Sequence, residues 1–123
     1  MAKTILVVED DESIREGICE FLEMENYKVL VASNGQEAFG LLNQATSLPD
    51  IILLDIMMPV MDGYQFREGQ RASEKFNRIP VVVFTADRLD PEKTKRLSVQ
   101  AVLKKPVDLE LLLDTLRTVG LGA

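Results

Sequence analysis

Asp50-Ile51-Ile52-Leu53-Leu54-Asp55-Ile56-Met57-Met58-Pro59 is the stretch on which the fold turns. Ile51 to Leu54 is a continuous apolar run, bounded by two aspartates and too short for a helix. Such a run reads as a strand covered on both faces, the habit of a parallel sheet, because a half-exposed strand would alternate apolar and polar side chains. The same form recurs on either side of it. Thr4-Ile5-Leu6-Val7-Val8, Val29-Leu30-Val31-Ala32 and Val81-Val82-Val83-Phe84 repeat it, and Ala101-Val102-Leu103 is a weaker fifth.

Helical spacing fills the gaps. Ile14, Ile18, Phe21 and Leu22 make one apolar stripe, with Asp11 placed as its N-cap. Asn34 with Glu37 reads as a cap and its partner, opening a second helix through Ala38, Leu41 and Leu42. A fourth helix starts near Asp90-Pro91, with proline in its first turn, and Asp108 opens a last one carrying Leu109, Leu112, Leu113 and Leu116. The third is the weak one. After Asp62-Gly63 it offers Tyr64 and Phe66, then Arg67, Gly69 and Gln70 where a core-facing helix wants apolar groups. Its formation is expected to rest on packing of Tyr64, Phe66 and Phe76, or else to leave it mobile. Strand and helix alternating five times predict an α/β protein, a doubly wound parallel sheet with helices on both faces. Nothing in the 123 residues marks a boundary, so one domain over 1–123 is expected.

In such sheets ligands bind beyond the carboxyl ends of the strands. The first strand runs into Glu9-Asp10-Asp11-Glu12, the third ends at Asp55, the fourth at Thr85 and the fifth at Lys104-Lys105-Pro106. Taken singly, Asp10 or Asp55 reads as a cap or turn residue, Thr85-Ala86 as the approach to a helix cap and Lys105-Pro106 as a solvated turn. Together they carry what one reaction needs. Carboxylates from adjacent strand ends form a hard oxygen cluster suited to Mg²⁺, while a hydroxyl and an ammonium suit the oxygens of a phosphoryl group.

Composition narrows the field further. There is no His, which excludes imidazole catalysis, His-containing metal sites and phosphohistidine carriers. A single Cys19 allows no internal disulfide, in keeping with a reducing, cytoplasmic setting. Twenty acids against fourteen bases give a formal −6, which argues against direct nucleic-acid binding, and no apolar run is long enough for a membrane span. The surplus is local: residues 1–25 hold eight acids and two bases, and the remainder is neutral. A P-loop lacks its Gly-rich Lys-Ser/Thr motif. Flavin phosphate would meet Glu9-Asp10-Asp11-Glu12, and a haloacid-dehalogenase-type phosphatase would want Asp where Met57 stands.

Four segments in order resemble the receiver domains of two-component response regulators, across essentially the whole chain. They are Ile5 to Asp10 with its acidic pair, Pro49 to Pro59 followed by Met61-Asp62-Gly63, Ile79 to Ala86, and Lys105-Pro106. The resemblance implies a flavodoxin-like five-stranded sheet in the order 2-1-3-4-5 with five helices. It implies Asp55 as the nucleophile that takes a phosphoryl group from a histidine kinase or histidine phosphotransfer domain. Glu9, Asp10, Asp55 and the backbone carbonyl of Met57 would hold Mg²⁺, and Thr85 and Lys105 would hold the phosphoryl oxygens. It also implies a typically cis Lys105-Pro106 peptide, a downstream protein target, and a signalling switch that catalyses only its own phosphorylation and dephosphorylation.

Three departures stand out. Val102 occupies a position often aromatic in the family, and the chain between Thr85 and Lys105 is about two residues short, with Ser98-Val99-Gln100-Ala101 as its turn. The third helix is weakly apolar. Met57 and Asp87, two residues after Asp55 and Thr85, flank the path of the hydrolytic water in this family and are expected to influence phosphate lifetime, in a sense the residues leave open. A receiver-like module that binds a partner constitutively is therefore the alternative. Arg67 to Arg96 carries a local +3, on a region that in this family serves output to a protein. Glu12, Glu16, Glu20 and Glu23 form an acidic stripe that either is simply solvated or faces a basic patch on the phosphodonor.

Overall fold

The computed structural model describes residues 3–86 and 91–121, the side chains of Gly120 and Leu121 excepted. Five strands, β1 (Thr4–Val8), β2 (Lys28–Ala32), β3 (Ile51–Asp55), β4 (Val81–Thr85) and β5 (Ala101–Lys104), form one sheet in the order β2-β1-β3-β4-β5. Every pairing is parallel. Helices α1 (Glu12–Met24), α2 (Gly35–Gln44), α3 (Gly63–Ala72), α4 (Pro91–Leu97) and α5 (Leu109–Leu116) complete the alternation, followed by a π-helical turn at Arg117–Leu121. The expected fold class and strand order are both present.

The unbroken apolar strands explain the layering. Side chains of a strand alternate in direction, so a run with no polar member must be covered twice. Leu6, Val8, Ile52, Leu54, Val81 and Val83 face one side, packed with α2 and α3. Ile5, Val7, Ile51, Leu53, Val82 and Phe84 face the other, against α1 and α5. β1, β3 and β4 are almost wholly inaccessible, whereas the edge strand β2 exposes Leu30 and Val31, so its cover is partial.

The caps fall where the sequence placed them. Asp11, Asn34 and Asp108 accept from Ile14 N, Glu37 N and Glu110 N, the last with a second bond from Leu111 N. Glu37 does not complete a reciprocal box; its carboxylate reaches Ser33 N and Ser33 Oγ instead. The first described residue of α4 is Pro91, and Asp90 lies outside the described residues. Among the described residues no helix is long and apolar enough to cross a membrane.

α3 is better made than its composition promised. Asp62 and Gln65 form a full capping box. Phe66 is fully buried, and the Phe39 ring lies 4.6 Å from that of Phe66 and 6.4 Å from that of Phe76. The polar positions are buried too. Arg67 donates from Nε to Leu97 O at 2.7 Å, from Nη2 to Ser98 O at 2.6 Å and from Nη1 to Gln70 Oε1 at 2.8 Å. Gln70 Nε2 in turn donates to Phe76 O and Ile79 O. The helix stands on its polar groups as well as on its aromatics, because these satisfy carbonyls at the end of α4 and in the turn before β4. The short α4–β5 connection is tied to α3 by the very residues that made α3 look weak.

Candidate functional site

Parallel register brings the strand ends to one edge. Val8 pairs with Leu54, Asp55 with Phe84 and Thr85 with Lys104. The next residues, Glu9 and Lys105, are fixed by backbone bonds: Glu9 N donates to Ala32 O at 3.0 Å and Lys105 N to Thr85 O at 2.9 Å. Arg15, on α1, donates from Nη1 to Glu9 O at 2.9 Å.

Glu9, Asp10 and Asp55 each offer a carboxylate oxygen, all within 4.8 Å of one another. Glu9 and Asp55 are buried and Asp10 is exposed, so the cluster has one open side. Lys105 Nζ lies 2.5 Å from Glu9 Oε1 and 3.4 Å from Asp55 Oδ2, above the Phe84 ring at 5.1 Å. Asp55 Oδ1 accepts from Ile56 N at 2.8 Å, and Glu9 Oε2 from Asp11 N at 3.1 Å. Thr85 is buried beside them, 1% exposed. The Lys105–Pro106 peptide is cis, as expected.

The loop after Asp55 comes in close. A Cβ on Gly63 would stand 2.6 Å from Asp55 O and 2.7 Å from Ile56 Cα, both backbone atoms, so only glycine fits. Gly63 N donates to Ile56 O at 2.8 Å and closes the loop. Met57 is 60% exposed at its rim, and Val60 holds φ 68°, a left-handed backbone that β-branched side chains rarely adopt.

Burial dominates the electrostatics. It pushes the Glu9 carboxyl up to about 7, against Lys105 and the Asp11 N–H, which favour the anion; Asp10 and Asp55 push the same way as burial. Asp55 is also raised by burial, against Glu9, Lys105 and the Ile56 N–H. For Lys105 burial works against the charge, but the two carboxylates outweigh it and the net direction is up. These are carboxylates short of positive charge. Glu9 Oε1 is buried and, apart from the ammonium at 2.5 Å, accepts no hydrogen bond. Three hard oxygens on two strand ends, with one side open, fit a divalent cation of the Mg²⁺ type, which takes one or two carboxylates and keeps waters.

The sequence-predicted Glu9, Asp10, Asp55, Thr85 and Lys105 therefore share one strand edge. Asp87 lies outside the described residues. Val102 sits on β5 opposite Val83 and is 38% exposed. Two contributors were not singled out from sequence: Arg15, whose bond to the Glu9 carbonyl leaves no local signature, and Gly63 as an obligatory close approach, since Asp62-Gly63 was read only as the start of the third helix and as part of the family-like segment after Asp55.

Comparison with known proteins agrees with the geometry. The family model described as the response regulator receiver domain matches residues 5–117. Protein PilH of Pseudomonas aeruginosa is 33% identical over 120 residues, covering 96% of this chain and 98% of its own. The chemotaxis response regulator CheY4 of Vibrio cholerae superposes with a TM-score of 0.87 at 30% identity, over 97% of this chain and 99% of that one. The receiver domain of a sensor histidine kinase of P. aeruginosa, solved with a magnesium ion coordinated in its active site cleft, gives a TM-score of 0.87 at 27% identity, with both chains covered completely. Against other curated relatives the chain spans about half their length. From strand edge to sequence relatives the result is the same: this chain belongs to the response regulator receiver domain family.

Proposed function

We propose that Asp55 is the phosphoacceptor of a signalling switch, served by a histidine kinase or histidine phosphotransfer domain and read by a downstream protein, in a cytoplasmic setting. The observation that supports this most is the placement of buried Asp55 within 4.8 Å of Glu9 and Asp10, with the Lys105 ammonium 3.4 Å away. Glu9, Asp10, Asp55 and the Met57 carbonyl would hold Mg²⁺. When bound, that ion would balance the −2 left by Glu9, Asp10, Asp55 and Lys105 and supply positive charge to the transferring phosphoryl group.

Asp55 enters as the carboxylate, its oxygen attacking phosphorus while the phosphorus–nitrogen bond of the donor breaks. The donor imidazole leaves with the electron pair and takes up a proton. An acyl phosphate results, which water hydrolyses, so the signal expires on its own. Lys105 and Thr85 would hold the phosphoryl oxygens. Because Lys105 N is bonded to Thr85 O, movement of either residue is transmitted to the other strand end, a local charge event with a wider readout. The exposed stripe Glu12, Glu16, Glu20 and Glu23 on α1 would face basic groups of the phosphodonor.

Intact-mass analysis after incubation with acetyl phosphate and Mg²⁺ tests the proposal. One phosphoryl adduct is expected, acid-stable and base-labile, absent in Asp55→Asn and absent after chelation. Failure with acetyl phosphate and with a phosphorylated histidine kinase alike would leave the constitutive binding module, which Val102, in place of an aromatic side chain, keeps in play.

A further inference from the structure

Asp10 is the exposed member of the carboxylate cluster, and it lies two residues past the end of β1 at Val8. Its aim therefore depends on how the backbone on either side of it is held. Arg15 holds both sides. From Nη1 it donates to Glu9 O, the carbonyl of the peptide leading into Asp10, at 2.9 Å. From its main-chain N it donates to Asp11 O, also at 2.9 Å. The second bond is the ordinary first rung of α1, closed on its N-cap residue. The first is not ordinary: it reaches back six residues and spends a side chain on a carbonyl.

That carbonyl needs its donor. Glu9 is 0% exposed, so water is a poor substitute for the guanidinium. Arg15 is also the one base on α1, in a stretch where residues 1–25 hold eight acids and two bases. With exposed Glu12 and Glu16 on the same helix, its Nη1 is nevertheless committed to the backbone of the site. Turning the Glu9–Asp10 peptide would swing the side chains at both its ends. Glu9 has anchors of its own, since Lys105 Nζ lies beside Oε1 and Asp11 N donates to Oε2. The burden falls on Asp10.

We infer that Arg15 is a positioning residue of the metal site: by clamping the Glu9–Asp10 peptide it aims the Asp10 carboxylate at the cation. A guanidinium has no lone pair to offer, so Arg15 itself is not a ligand. The inference rests on the Mg²⁺ site proposed above. Its magnitude is that of other outer groups that orient metal ligands, whose loss weakens metal binding about 10–100-fold.

MgCl₂ titrated into the ¹⁵N-labelled full chain at constant ionic strength tests it, read from the amides of residues 9–11 and 55–57. The parent should saturate, and Arg15→Gln should bind Mg²⁺ about tenfold more weakly. Arg15→Lys keeps the charge without the fork and should lose less; it carries the comparison alone if the Gln variant gives no dispersed spectrum. The sign is decisive. A cation acting only through space repels Mg²⁺, so its removal would tighten the site. An arginine that only held α1 to the sheet would lower the urea midpoint and leave Mg²⁺ affinity unchanged. In chelator, Arg15→Gln should also shift the Asp10 amide, the N–H of the clamped peptide, and speed its hydrogen exchange, with the amides of α4 and α5 unmoved. Unchanged or tighter Mg²⁺ binding in Arg15→Gln would overturn the inference and leave the metal site standing. No saturable shifts in the parent would overturn the metal site, and the inference with it.

Discussion

Replacing Arg67 by Met keeps an unbranched, helix-compatible side chain of similar reach and removes the guanidinium. Three acceptors lose their donor, but unequally. Ser98 is exposed, so its carbonyl regains water at little cost. Leu97 is 3% and Gln70 0% exposed, so Leu97 O and Gln70 Oε1 are left unpaired in the interior. Each such group costs about 1–3 kcal/mol. Against this, the variant no longer desolvates a charge, a real gain because Arg67 is 7% exposed and burial, then Arg71, already lowers its pKa. The balance is a loss of about 2–4 kcal/mol out of the ~5–15 available to a domain of this size. In urea the midpoint should fall by on the order of 1–2 M at unchanged slope. Arg67→Lys keeps the charge but not the fork and should fall between the two proteins. If the Met variant unfolds at or above the parent's midpoint, the buried guanidinium is a net burden, and the argument that it holds α4 to α3 is wrong.

Other outcomes are equally definite. Val60 is 73% exposed at φ 68°, so Val60→Asn should raise stability by about 1 kcal/mol in the same urea assay, since relief of a left-handed β-branched residue outweighs the little apolar burial lost. Gly63→Ala forces a Cβ to 2.6 Å from Asp55 O and should cost about 3 kcal/mol or more, also displacing the amides of Asp55 and Ile56 in an NMR spectrum. In chelator, Glu9 with a folded pKa of about 7 binds its proton more tightly than in the unfolded chain, where the value is 4.5. The stability this group contributes should therefore be full below about pH 4.5 and be lost as pH rises to about 7, by on the order of 1–2 kcal/mol. Glu9→Gln should flatten that slope in denaturation curves at pH 5.5 and 7.5, and a parent slope of opposite sign would contradict the burial argument.

The sheet was legible because Ile51–Leu54 and its three strong counterparts are apolar without interruption, the pattern of strands in a parallel sheet with helices on both faces. The caps were legible because Asp11, Asn34 and Asp108 act on N–H groups two or three residues away. The site was legible as residue types at strand ends, since parallel register alone makes those ends converge. What the pattern concealed was long-range polar satisfaction. Arg67 and Leu97 are thirty residues apart, and a period-based reading scores a buried Arg and Gln as absent core rather than as caps for distant carbonyls. The same blindness hid Arg15, whose partner is the carbonyl of Glu9. Partial exposure of β2 was not visible either, because edge position is a property of strand order and not of the strand.

The central claim is that one carboxylate among several at this edge takes the phosphoryl group. Borohydride reduction after reaction with acetyl phosphate and Mg²⁺ converts an acyl-phosphorylated aspartate to homoserine, and peptide sequencing by mass then locates it. Homoserine at position 55, with aspartate intact at positions 10, 11 and 50, is the expected result. Homoserine at any of those three instead of 55 would contradict the account.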